Sequence, residues 1–196
     1  MTIEVSAEVG ITDGRKRRSS TSRDKIVHAM LRLIKGGDMS PSAARVAEMA
    51  GVSLRSVFRH FEDMEQLYHH MTAIVQDRLH PLVTAPLTAR GWKAQLLELA
   101  ERRMAVYDEI MPYKVAGSLR RFQSKFLADD YRRHLKMERA TLEAVLPDRI
   151  KQDAALLRAI EMVISFQAWR RLRQDQTLSS EDARKVTLLI LARLVD

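Results

Sequence analysis

The chain contains no cysteine, which removes disulfides, thiolate nucleophiles and cysteine-ligated zinc together. Long apolar runs are also missing. The segment Val186 to Val195, interrupted by Thr187 and Arg193, falls short of the roughly 20 residues that a bilayer span needs. Residues 1 to 14 carry Glu4, Glu8 and Asp13 and lack the basic start and apolar core of a secretory leader. A cytoplasmic location and no membrane partner are therefore expected. Phosphate-cradling glycine loops, dinucleotide-binding glycine fingerprints and the glycine-flanked serine of hydrolases do not occur. No glutamate has a histidine three residues on, and the adjacent His69 and His70 would point about 100° apart on a helix. No catalytic residue, metal ligand set or cofactor is expected. Alternating β-branched strands joined by hairpin turns are absent, as is any internal repeat of fixed period.

What is present is apolar content of 46%, ample for a packed core, and a net charge of +8 over 196 residues. Between Arg15 and Phe61 eleven Lys/Arg residues face three acids, so one quarter of the chain carries an excess equal to the total. Concentrated positive charge favours a polyanion, nucleic acid first and an acidic membrane surface second, although a charge run can equally be a solvated face.

Residues 1–22 show no helical period and end in the polar run Arg15-Lys16-Arg17-Arg18-Ser19-Ser20-Thr21-Ser22, which reads as a flexible basic arm. The arm can serve DNA contact through Arg17 and Arg18 or simply solubility. From Arg23 the pattern changes. Ile26, Ala29, Met30, Leu33 and Ile34 share one helix face, and Gly36-Gly37 supplies a stop. Ser42 is placed to cap a second helix with Ala43, Val46, Ala47 and Ala50 inward, and Ser53 to cap a third over Leu54 to Phe61. A longer helix starts at Asp63 and is expected to end near Pro81 and Pro86. Periodic segments follow at about 92–110, 113–121, 123–146, 149–175 and 180–195, separated by Pro112, Pro147-Asp148 and Leu178-Ser179-Ser180. The fold expected is all-α, a small N-terminal unit followed by a larger helical bundle.

The run Val46 to Phe61 has the residues that a helix-turn-helix requires. Ala47 is small enough for two helices to cross closely, Gly51 tolerates a positive φ, and Val46, Val52 and Val57 can share a core. With Val57 and Phe61 inward, Leu54, Arg55, Phe58 and Arg59 face outward with Ser56 at the edge. Arginine can pair with guanine edges or grip phosphates, and Leu54 or Phe58 can pack on a thymine methyl or the sugar-phosphate chain. The same spacing also fits a basic helical hairpin with no nucleic acid partner. Residues 46 to 67 resemble the signature of TetR/AcrR transcriptional regulators, an apolar-Ala-x-x-Ala-Gly-Val-Ser run followed by aromatic-x-His-Phe and an acid-apolar helix start. The resemblance is close over Arg23 to Leu67. It departs at Phe58, where the family usually has a tyrosine, and at Met64, where a lysine usually opens the next helix; both changes remove phosphate contacts.

The resemblance implies a helix-turn-helix DNA-binding domain at 23–69 and a ligand-binding and dimerisation domain at 70–196. It also implies phosphate contacts from Ser42 and His60, although His60 can equally be a packing residue. Helices 149–175 and 180–195 are expected to pair across a homodimer. The final helix supports this independently, being apolar on more than one face, unless those faces are buried within the monomer. The resemblance further implies a small-molecule pocket. Met71, Trp92, Met104, Tyr107, Met111, Tyr113, Phe122, Phe126 and Trp169 are the residues available to line it, although such residues commonly form plain core. An apolar lining favours a hydrophobic effector. The function implied is a repressor released from a palindromic double-stranded DNA operator by that effector. A peripheral membrane or scaffold protein using the basic arm is the competing reading.

Overall fold

The computed structural model describes residues 9–196, with side chains from residue 22 onward. Among the described residues there are ten α-helices and no strand, and no helix is long and apolar enough to cross a membrane. The chain divides into two compact units between Ala73 and Ile74. That is one helical turn beyond the boundary expected at residue 69, because Leu67, Tyr68 and Met71 are all buried and belong to the first unit.

The N-terminal unit begins with α1 (Val9–Lys35), whose buried face is Ile26, Val27, Ala29, Met30, Leu33 and Ile34. The expected flexible arm of residues 1–22 is corrected here: its first eight residues lie outside the described part, and the rest is helix. Extending an existing helix costs far less than nucleating one, and the Arg15 to Arg18 run consists of good helix formers. The helix stops at Gly37, where φ is 101° and the next amide, Asp38, donates to the Leu33 carbonyl at 3.0 Å. Helix α2 (Ala43–Ala50) is capped by Ser42, whose hydroxyl oxygen accepts from the Arg45 amide at 3.2 Å. Gly51 then takes φ 66°, and the amides of Gly51 and Val52 close onto Glu48 and Ala47. Ser53 caps α3 (Leu54–His60), and α4 (Met64–Thr84) opens where Asp63 accepts from the Gln66 amide at 2.8 Å.

The C-terminal unit contains α5 (Trp92–Arg120), α6 (Lys125–Glu143), α7 (Asp148–Gln152), α8 (Ala154–Val163), α9 (Phe166–Arg170) and α10 (Ser180–Val195). Helix α4 ends at Thr84, between Pro81 and Pro86 as expected. Two sequence expectations change. Helix α5 runs through Pro112 instead of splitting into 92–110 and 113–121. A proline inside a helix costs about 3 kcal/mol, and here Tyr107, Ile110 and Ala116, buried on both sides of Pro112, hold the two halves in line. The segment expected as one helix, 149–175, is instead α7, α8, α9 and a π-helical turn at Arg171–Asp175. The interruptions have local causes. Asp153 accepts from Leu156 and caps α8, and Ser165 accepts from Ala168 and caps α9. The core of this unit gathers Leu96, Met104, Tyr107, Leu142, Ile160, Phe166, Trp169 and Leu191.

Candidate nucleic-acid interface

The exposed surface of α3 is set by what the helix buries. Val57 is enclosed at its centre and Phe61 at its C-terminal end, with the Phe61 amide donating to Val57. An adjoining face is left to solvent: Leu54 is 45% exposed and Phe58 49%, with Arg55 and Arg59 exposed beyond them. Ser56 sits at the edge, half-buried, its hydroxyl 3.0 Å from that of Ser53. Two guanidinium groups and two large apolar groups thus share one convex face of a seven-residue helix. Val46 and Ala47 are buried under the crossing of α2, whereas Val52 is only half-buried.

Ser42 is exposed, and its hydroxyl oxygen is engaged by the Arg45 amide. His60 is half-buried, and its Nε2 is enclosed with no hydrogen-bond partner. Burial first, then the charges of Arg59 and Arg23, push its pKa below the ordinary histidine value. Arg17 and Arg18 lie on the backbone of α1, with side chains outside the described part. Sequence reasoning missed a second basic feature, an open groove of about 500 Å³ lined by Asp24, Lys25, His28, Arg32 and Ala50. The i, i+4, i+8 spacing of Asp24, His28 and Arg32 on α1 was the available signal.

The residues suggested as pocket lining are only partly brought together. Met104, Tyr107 and Trp169 are buried in the core of the C-terminal unit, with Trp92 and Met111 packed against it. Phe126 is half-buried on α6. Phe122 is 83% exposed at the α5–α6 turn, where Arg121 stacks over it. Met71 belongs to the N-terminal unit. Tyr107 and Trp169 use their polar atoms internally: the Tyr107 hydroxyl donates to Glu138 at 2.8 Å, and the Trp169 indole donates to Asp108 at 3.0 Å.

The chief polar feature of that core went unanticipated. Glu138 on α6 accepts from Tyr107, pairs with His134 at 3.0 Å and lies 3.7 Å from the Lys114 ammonium. Burial alone would raise the Glu138 pKa, but the bonds and charges of His134, Lys114 and Tyr107 outweigh it and bring it to about 2. Lys114 lies over the Phe166 ring at 4.9 Å, and burial lowers its pKa against the opposing pull of Glu138. Lys114 and Glu138 are distant in sequence and carry no shared motif, so only the tertiary fold reveals the pair. No family model, curated protein or solved structure matches this chain.

Proposed function

We propose that the chain is a DNA-binding transcriptional regulator whose α2–Gly51–α3 segment is a helix-turn-helix. The carrying observation is the outer face of α3, where Leu54, Arg55, Phe58 and Arg59 stand clear of the core while Val57 and Phe61 anchor the helix from behind. A short helix presented in this way fits the major groove, where arginine reads guanine and apolar groups read the thymine methyl. The resemblance of residues 46–67 to TetR/AcrR regulators supports the same reading.

The chain acts as a homodimer through α8, α9 and α10. Met162 on α8 is 66% exposed and Leu189 on α10 60%, with Ile190 beside it, on helices that pack against each other. Large apolar groups left on neighbouring helices favour an isologous partner surface. Two reading helices about 34 to 36 Å apart would then meet a near-palindromic operator. A small, mostly apolar effector that prefers a differently spaced dimer would release it, making the regulator a repressor. Selection of bound sequences from random duplex DNA tests the whole reading. A recovered palindrome is the expected result, whereas salt-labile binding without sequence preference would favour a merely electrostatic role.

A further inference from the structure

The joint between α1, the end of α3 and the start of α4 is held by a group of residues that the reading face does not use. Arg23 on α1 places its guanidinium 5.3 Å from the centroid of the Phe61 ring and donates a hydrogen bond to Nε2 of His70 on α4. Phe61 meets His70 edge-on at 5.5 Å, and His69 meets it edge-on at 5.6 Å. Phe61 is the C-terminal cap of α3 and is buried. One arginine therefore touches two of the elements that fix the tilt of α3.

The chemistry of that contact sets a protonation state. A guanidinium has donors only, so His70 Nε2 must offer a lone pair, which requires the neutral ring with its proton on Nδ1. Adding a proton turns the acceptor into a donor and sets two cations face to face. We propose that Arg23 and His70 form a proton-sensitive latch in which Arg23 is the positioning residue for the end of α3 and His70 is its obligatorily neutral acceptor.

Arg23 from α1 and His69 on its own helix act on His70, while Arg59 and Arg23 act on His60 at the end of α3. On the segment that leads into α4, Glu62 and Asp63 are bonded to Gln66. Burial, then Arg23, then His69 push the His70 pKa below 6.5. A pKa lowered by folding means that the contribution to stability is complete above 6.5 and is lost as pH falls through the ordinary histidine range toward the folded value. The latch is closed at neutral pH and opens in acid.

The consequence for the reading face rests on the DNA-binding proposal, but the latch does not. Melting of the full-length protein, Arg23→Met and His70→Gln is compared at about pH 7.5 and about pH 4.5, the lower lying well below the ordinary histidine pKa because folding lowers that of His70. Glutamine keeps an acceptor that does not titrate. Arg23→Met should lower the melting temperature by about 2 to 4 °C at the higher pH and by little or nothing at the lower. His70→Gln should lose less on acidification than the wild type. An equal cost of Arg23→Met at both pH values, or parallel curves for His70→Gln and wild type, overturns the latch. Nitrogen chemical shifts of the wild-type rings give a second reading free of any folding defect, because a His70 protonated at Nε2 near neutrality also overturns it. The ratio of selected-duplex to mixed-duplex affinity should fall several-fold in acid for wild type and not for His70→Gln. An unchanged ratio with an intact latch overturns the positioning of α3. An intact latch in a chain that binds no DNA instead overturns the function proposed above.

Discussion

Replacing Glu138 by glutamine isolates one charge, because the amide keeps the size of the side chain and an oxygen that can accept from Tyr107. What it removes is the anion facing Lys114, an ammonium lying over the Phe166 and Tyr107 rings at 4.9 and 5.6 Å. The magnitude follows from the titration of Glu138. Its pKa is about 2 in the folded protein against 4.5 ordinarily; at about 1.36 kcal/mol per unit the difference is worth about 3 kcal/mol. Breaking a buried ion pair by removing one partner costs about 3 to 5 kcal/mol, so the two routes agree. The sign is that of a depressed carboxylate. Its stabilisation is complete above 4.5 and disappears as pH falls toward about 2. Chemical denaturation of Glu138→Gln at neutral pH should show a loss of about 3 kcal/mol, and the gap to wild type should close progressively in acid. A loss below about 1 kcal/mol at neutral pH, or a gap that stays constant in acid, would refute the buried-pair account.

Arg55→Ala should relax base preference at particular positions of a selected duplex by about 1 to 3 kcal/mol, and unchanged specificity and affinity in a quantitative binding assay would reassign the reading face. Arg59→Ala, if its guanidinium grips phosphate, should weaken all duplexes alike and reduce the salt slope by about one. Gly51→Ala meets open space but must adopt φ 66°, so a loss of about 1 kcal/mol in thermal or chemical unfolding is expected. Leu189→Asp should convert a sedimenting dimer into the 22.5 kDa chain, and a wild type already at that mass would sink the interface.

Much of the N-terminal unit was legible because its signals are local. Ser42, Ser53 and Asp63 announce helix starts through a hydroxyl or carboxylate three residues before the amide that each engages, and Gly37 and Gly51 mark the stops by their positive φ. Burying Val57 and Phe61 turns Arg55 and Arg59 outward by helix geometry, whereas Leu54, three residues before Val57, is exposed although that spacing places it toward the buried side. The same rules misled in the C-terminal unit wherever distant packing opposed them. Pro112 is a breaker by propensity, yet α5 continues because residues on both sides of it are buried in one core. Conversely, the 149–175 stretch has helical periodicity throughout, and the interruptions at Asp153 and Ser165 come from side chains that compete for backbone amides. Those two residues could have been read as caps.

The polar contacts between distant helices were the least legible, for a common reason. Arg23 and His70 are 47 residues apart, and Tyr107 and Glu138 are 31 apart. Neither pair has a period or motif, because each is created when helices distant in sequence pack together. In both, a neutral or anionic acceptor faces a fixed donor, so the geometry itself selects the protonation state. The outcomes differ through what surrounds them. Glu138 is held charged by His134 and Lys114 and titrates far below neutrality, so it staples α5 to α6 at every physiological pH. At His70 burial, Arg23 and His69 act in the opposite sense and favour the neutral ring, lowering its pKa below the ordinary histidine value. On the proposed latch, the end of α3 is tied down by the more easily reversed of the two contacts, and acid should loosen it well before it reaches the core of the C-terminal unit.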